Sequence, residues 1–229
     1  HNLWLDRFDS HDGRIVGVVM CCLGEGCQRE LPYSTDPRMD VFKRTFDLIE
    51  GVEGSVVECG VRRGRSLAML ALLMRAEGKF RNLFGFDAWD AALGEGLENN
   101  LKLLNDEHKP ASFMSFKDAE GVIATKLRKF GLSLSDVNLI PGWLHDSLPE
   151  TATGPVALVN LDVDLYQSYM DSLTHLWPRL STGGIIILDE YHEPTEWPGA
   201  RRAVDEFVAG LQPNSYELRE DFRWYLVKR

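Results

Sequence analysis

The stretch from Gly54 to Ser66, Gly-Ser-Val-Val-Glu-Cys-Gly-Val-Arg-Arg-Gly-Arg-Ser, constrains this chain more than any other. Val56 and Val57 open a short β-branched run that ends in a carboxylate, Glu58. The chain then turns through Gly60 and Gly64 into an apolar segment from Leu67 to Met74. This spacing predicts a strand, a tight turn and a helix. Glycines suit such a turn because its backbone visits φ > 0, and because a missing side chain lets a ligand approach the main chain at the helix N-terminus. In an open α/β sheet the turn lies at the carboxyl edge of the strands, where ligands bind.

The same alternation runs through the rest of the chain. Asp36-Pro37 offers a helix start, with Phe42, Phe46 and Ile49 at i, i+4 and i+7 before Gly51. Phe84 to Asp87 reads as a second strand, a helix spans 118–130, and Val137 to Pro141 is a third strand with Gly142 to Pro149 as its exit loop. Val156 to Val163 is apolar up to its carboxylates, as a central strand buried on both faces requires. A helix marked by Tyr169, Leu173, Leu176 and Leu180 follows, ended by Thr182-Gly183-Gly184. Ile185 to Leu188 is a fifth strand, and Ala200, Ala203, Val204 and Phe207 give a clear helical stripe. The last residues read as a hairpin around Glu220-Asp221. The fold class expected is α/β, a doubly wound, mainly parallel Rossmann-like sheet with an antiparallel C-terminal hairpin. Residues 1–35 are expected to form a cap or oligomer contact, residues 36–229 one domain, and 88–117 an insertion with a short helix near 97–104.

Composition excludes several functions. A formal charge of -10 opposes a nucleic-acid partner, whose phosphates demand Lys and Arg. The longest apolar run is about ten residues against the roughly 20 that cross a bilayer, so no membrane is expected and a cytoplasmic location is. Cys21, Cys22, Cys27 and Cys59 lack disulfide spacing and are expected reduced, a zinc site on 21, 22 and 27 being the lesser alternative.

The strand ends carry the chemistry. Asp87 stands where a carboxylate can accept hydrogen bonds from both hydroxyls of a ribose. The gap from Gly60 exceeds the roughly 20 residues usual in NAD folds, and the loop lacks the close G-x-G-x-x-G spacing that holds a pyrophosphate. A nucleoside without phosphates fits better, and S-adenosylmethionine is the expected cofactor. Asp162, Asp189 and Glu190 end two further strands, with Asp164 in reserve as a ligand or as a helix cap. Acids so placed converge and repel unless a cation intervenes, and an all-oxygen set suits Mg²⁺, with Mn²⁺ or Ca²⁺ as rivals. Asp162, Asp189 and Glu190 are therefore the expected metal ligands.

Taken together, Val56 to Gly64, Asp87, Pro141 to Pro149, Leu161 to Ser168 and Gly183 to Tyr191 resemble the macrocin O-methyltransferase family over about residues 37–210. The resemblance implies a class I, S-adenosylmethionine- and metal-dependent O-methyltransferase domain in 36–229. It acts on a hydroxyl of a sugar or diol in a natural product, as in antibiotic biosynthesis, with a small-molecule glycoside as partner and a homo-oligomer as assembly. It also implies that Glu58, Gly60 and Gly64 hold the methionine end, Asp87 the ribose, and Gly142 and Trp143 the adenine border, with Ser66 and Trp89 completing the cofactor set. Arg62 stands where many methyltransferases have a glycine, Glu190 where Asp or Asn is common, and residues 1–35 do not resemble the family. Catalysis needs an activated hydroxyl in line with the sulfonium methyl, so Asp162 is expected to act through the cation, and His192 or His145 as base. A non-catalytic methyltransferase-like binding module is the alternative, and the glycine spacing disfavours an NAD-type oxidoreductase.

Overall fold

In the computed structural model, residues 35–89, 114–192 and 197–229 are described here. The expected cap, most of the insertion and three of the four cysteines lie outside them. Helix α1 (Pro37–Leu48) starts where its signals place it: the Asp36 side chain accepts the Arg38 N–H at 3.1 Å, and Pro37 fills a position that needs no donor. Strand β1 (Ser55–Cys59) leads through the glycine turn into α2 (Arg65–Glu77), followed by β2 (Leu83–Asp87). Next come α3 (Phe116–Arg128), a short 3-10 turn (Leu134–Asp136), β3 (Asn138–Pro141) and α4 (Leu144–Glu150). Strand β4 (Val156–Leu161), α5 (Tyr166–Leu176), β5 (Leu180–Leu188), α6 (Pro198–Ala209), β6 (Tyr216–Glu220) and β7 (Trp224–Lys228) complete the chain.

The seven strands form one sheet in the order β3-β2-β1-β4-β5-β7-β6. β1 to β5 run parallel, and β7 joins β5 antiparallel through the terminal hairpin. Side chains alternate between two buried layers, as strand geometry dictates. Val56, Leu158, Ile185 and Ile187 face α1, α2 and α3, whereas Val57, Val159, Ile186 and Leu188 face α4, α5 and α6. Both faces of the central strands are thus covered, which explains why they are apolar apart from Ser55, Glu58 and Asn160.

Two local expectations change. The exit loop after β3 is mostly helix α4, because Leu144 and Leu148, one turn apart, are both buried while Pro149 sits in the last turn, where its ring breaks nothing upstream. The segment Leu180 to Gly184 belongs to β5 rather than to the end of a helix, since α5 stops at Leu176. Val156 pairs with Leu180 but Leu158 with Ile185, so the intervening residues loop out as an irregularity in the strand.

Gly60 shows why the turn needs glycine. Its φ is 91°, and a Cβ there would stand 1.8 Å from the backbone oxygen of Asp162, where the main chains of β1 and β4 leave the sheet together. Neither backbone can retreat, since Gly60 N–H donates to Phe86 O at 2.9 Å and Asp162 N–H to Cys59 O at 3.0 Å. Gly60→Ala is expected to lower unfolding stability by upwards of roughly 3 kcal/mol, read by urea denaturation; a loss below about 1 kcal/mol would show that the two backbones separate freely.

Candidate active site

β1, β2, β4 and β5 end side by side, and their terminal acids meet at the carboxyl edge. Glu58 closes β1 on the face toward α1 and is fully buried. Its Oε1 accepts the Asn160 amide at 3.0 Å, whereas Oε2 has no hydrogen-bond partner among the described residues. Burial pushes its pKa up to about 8; the Ser66 hydroxyl, buried at the start of α2, and Asn160 restrain the rise. A buried carboxyl with one unmet oxygen is prepared for a further donor.

Asp87 ends β2. Its Oδ2 accepts the Arg62 N–H at 2.6 Å and its Oδ1 the Trp89 N–H at 3.2 Å, while burial raises its pKa against those bonds. Trp89 is buried, tilts against Phe116 and donates its indole N–H to Arg62 O at 3.0 Å. Arg62 thus has both backbone groups anchored, which holds a non-glycine residue at φ 49° in the middle of the turn. Gly64 has φ 67° and lies against Ile123 of α3. Gly142, at φ 135°, donates to Asp87 O at 3.0 Å, and Trp143 begins α4. The expected cofactor residues therefore surround the ends of β1, β2 and β3, with Trp89 bracing the turn from behind.

Asp162, Asp164 and Glu190 bring carboxylate oxygens within 4.8 Å of one another. Glu190 is buried on the α5 side, where Tyr169 donates to its Oε2 at 2.6 Å and its own N–H reaches the same hydroxyl oxygen at 3.3 Å. Asp189, its neighbour, turns to the opposite face and meets Arg38 at 3.4 Å and the guanidinium of Arg223. Strand alternation, continued past the end of β5, explains why adjacent acids diverge. Asp164 sits at φ 62°, in a tight turn closed by Leu165 N–H to Val163 O at 2.6 Å. It does not cap the following helix: the N-cap of α5 is Leu165, with no side-chain cap bond. The group that converges thus contains Asp164, with Asp189 set beside it as the partner of two arginines.

Burial and the charge of Asp189 raise the Asp162 pKa, and burial with Asp162 and Asp189 raises that of Glu190 well above the usual carboxylate range. This mutual repulsion, an all-oxygen donor set and a guanidinium already drawn between two of the acids fit a divalent cation. Arg38, which bonds Asp162 Oδ2 at 2.8 Å, and Arg223 are the site residues the sequence reading missed. Arg38 follows a helix cap and Arg223 sits in a hairpin turn, and no motif links either to the strand ends. His192 places Nε2 3.4 Å from Arg223. His145 lies instead between Asp146 at 3.3 Å and Asp171 at 3.9 Å, on α4 and α5.

A macrocin-O-methyltransferase (TylF) family model matches residues 34–214. The chain belongs to that family. Among curated relatives, it is 36% identical to the 8-demethyl-8-(2,3-dimethoxy-α-L-rhamnosyl)-tetracenomycin-C 4′-O-methyltransferase of Streptomyces olivaceus, over 63% of this chain and 55% of the relative. It is 31% identical to the mycinamicin III 3″-O-methyltransferase of Micromonospora griseorubida, over 70% of this chain and 62% of the relative. The chain therefore spans somewhat over half the length of these relatives. The solved O-methyltransferase NovP superposes with a TM-score of 0.66 at 26% identity, over 84% of this chain and 79% of that one. The calicheamicin methyltransferase CalS11 shares the fold, with a TM-score of 0.62 at 23% identity, over 86% of this chain and 80% of that one. Like other macrocin O-methyltransferase family members, the chain has the Rossmann-like α/β fold, and no helix among its described residues is long and apolar enough to cross a membrane.

Proposed function

We propose that this chain transfers the methyl group of S-adenosylmethionine to a hydroxyl of a sugar or vicinal diol in a natural product, with Mg²⁺ or Mn²⁺ as cofactor. The observation that carries the reading is the convergence of Asp162, Asp164 and Glu190 beside the acids that end β1 and β2. Family membership supports the reaction, and the rhamnosyl group in the name of the tetracenomycin 4′-O-methyltransferase supports a glycoside.

In this reading Glu58 Oε2 accepts the cofactor ammonium, Gly60, Gly64 and Ser66 shape the methionine end, and Asp87 takes the ribose hydroxyls. Gly142 and Trp143 border the adenine, and Trp89 keeps the turn in shape. Asp162, Asp164 and Glu190 would hold the cation, with Asp189 replacing or joining them once freed of an arginine. The cation, when bound, supplies Lewis acidity that lowers the pKa of a substrate hydroxyl and orients its neighbour. The oxygen lone pair attacks the methyl carbon in line with the breaking carbon–sulfur bond, which leaves adenosylhomocysteine. His192 is the base favoured here, since Arg223 connects it to Asp189; His145 has no such link to the acids.

The reading is tested by incubating the protein with S-adenosylmethionine, Mg²⁺ and a panel of glycosides and diols, and weighing the products. A gain of one methyl group that disappears in excess chelator is expected. Methylation at an undiminished rate in chelator would remove the cation from the account, and failure of adenosylhomocysteine to bind would favour a non-catalytic module.

A further inference from the structure

Helix α1 begins against the cofactor turn and reaches over the acids. Asp36, which caps it, is ion-paired at 2.5 Å with Arg65, the first residue of α2. Two residues on, Arg38 extends one guanidinium nitrogen to Asp162 Oδ2 at 2.8 Å and another to Asp189 Oδ2 at 3.4 Å. The fork therefore spans the ends of β4 and β5, a geometry that arginine's planar donors provide and lysine's ammonium does not.

We propose that Arg38 is a built-in counter-cation of the acidic cluster that a divalent ion must displace, so that the start of α1 and cation occupancy are coupled. The proposal rests on the metal reading given above and adds to it the group with which the metal competes. Glu190 is buried and held by the Tyr169 hydroxyl at 2.6 Å, so that side of the cluster is fixed. Among the described residues, the side chain that bonds Asp162 is Arg38. Its side chain is 40% exposed, against 24% for Arg223, and can leave toward solvent without opening the core. Arg223 bonds Asp189, outside the converging trio, and can stay while the trio is occupied. A guanidinium on a ligand oxygen repels a divalent ion and occupies one of its positions, so both effects act in the same direction. Linkage is reciprocal: whatever affinity Arg38 takes from the cation, the cation takes from the Arg38 contacts.

The experiment is a titration of Mn²⁺ into the full chain, followed by electron paramagnetic resonance, for wild type, Arg38→Met and Arg38→Lys. Arg38→Met retains an apolar stem at a half-buried helical position and is expected to bind Mn²⁺ about tenfold tighter or more, within the usual range for linked sites. Arg38→Lys, which keeps the charge but not the two-point fork, is expected to fall between wild type and Arg38→Met. Without cation, Arg38→Met is expected to melt below wild type, and saturating Mn²⁺ is expected to close that gap. A contact that merely steadied α1 would lower the melting temperature without tightening the ion. Mn²⁺ binding by Arg38→Met that is equal to or weaker than wild type overturns the proposal and leaves the metal reading standing. If neither protein binds Mn²⁺, the metal reading fails and the Arg38 proposal with it.

Discussion

Asp162→Asn is expected to lower methyl transfer by about a thousandfold or more while leaving adenosylhomocysteine affinity unchanged. The substitution keeps the shape of the side chain and an oxygen for Arg38 Nη1, which now stands 2.8 Å from Oδ2, so the fold should survive. It removes the charge of one of the three converging carboxylates. A cation contributes several kcal/mol of transition-state stabilisation, and each ~1.36 kcal/mol is tenfold in rate. Glu58 and Asp87, which end β1 and β2, are assigned to the other ligand, so cofactor binding is predicted to be separable. Initial rates by mass spectrometry and calorimetry with adenosylhomocysteine measure the two quantities. A rate within tenfold of wild type would remove Asp162 from the chemistry.

The second large effect concerns Glu58 and pH. Its carboxyl, ordinarily near 4.5, is raised to about 8 chiefly by burial, against the hydrogen bonds of Ser66 and Asn160. The folded state thus keeps a proton that the unfolded chain loses near 4.5. Stability from this group is fully present below pH 4.5 and is lost as pH rises through about 8. At ~1.36 kcal/mol per pH unit, the window amounts to roughly 4 to 5 kcal/mol. Glu58→Gln retains the acceptor for Asn160 and carries no charge, so the ligand-free variant is expected to unfold at higher urea than wild type at pH 8.5 and to match it near pH 5. An unchanged gap between the two proteins across that range would refute the assignment. The same group predicts proton release when the cofactor binds near pH 7, because an ammonium beside Oε2 favours the carboxylate. Calorimetry of wild type in buffers of different ionisation heat would detect it, and Glu58→Gln should lose both the proton and much of the affinity.

The sheet was legible because its signals are local. Val56-Val57 and the run from Val156 to Val159 are apolar on both sides, and Asp36-Pro37 marks a helix start by the chemistry of two adjacent residues. Helix α4 was not, since Pro149 argued for a loop while the Leu144 and Leu148 pair that decides the matter spans a single turn. The acids at the strand ends could be read for the same reason as the strands they end. How they divide between the two faces could not. Glu190 turns to Tyr169 and Asp189 to Arg38 and Arg223, and those partners lie on α5, α1 and the hairpin, far away in sequence. Arg38 is 124 residues from Asp162, a distance over which no spacing rule operates. Arg62 in the glycine turn likewise depends on Asp87 and Trp89, which fasten its N–H and its carbonyl from the next strand.

The central claim is that one carboxyl edge serves a nucleoside on the acids of β1 and β2 and a cation on those of β4 and β5. Its most direct test is a calorimetric titration of adenosylhomocysteine and, separately, of Mn²⁺ into wild type and into the variant carrying Asp162→Asn, Asp164→Asn and Glu190→Gln. The account predicts that wild type binds both ligands and that the variant binds adenosylhomocysteine alone. Mn²⁺ binding that survives in the variant, or a wild-type protein that takes up neither ligand, would contradict it.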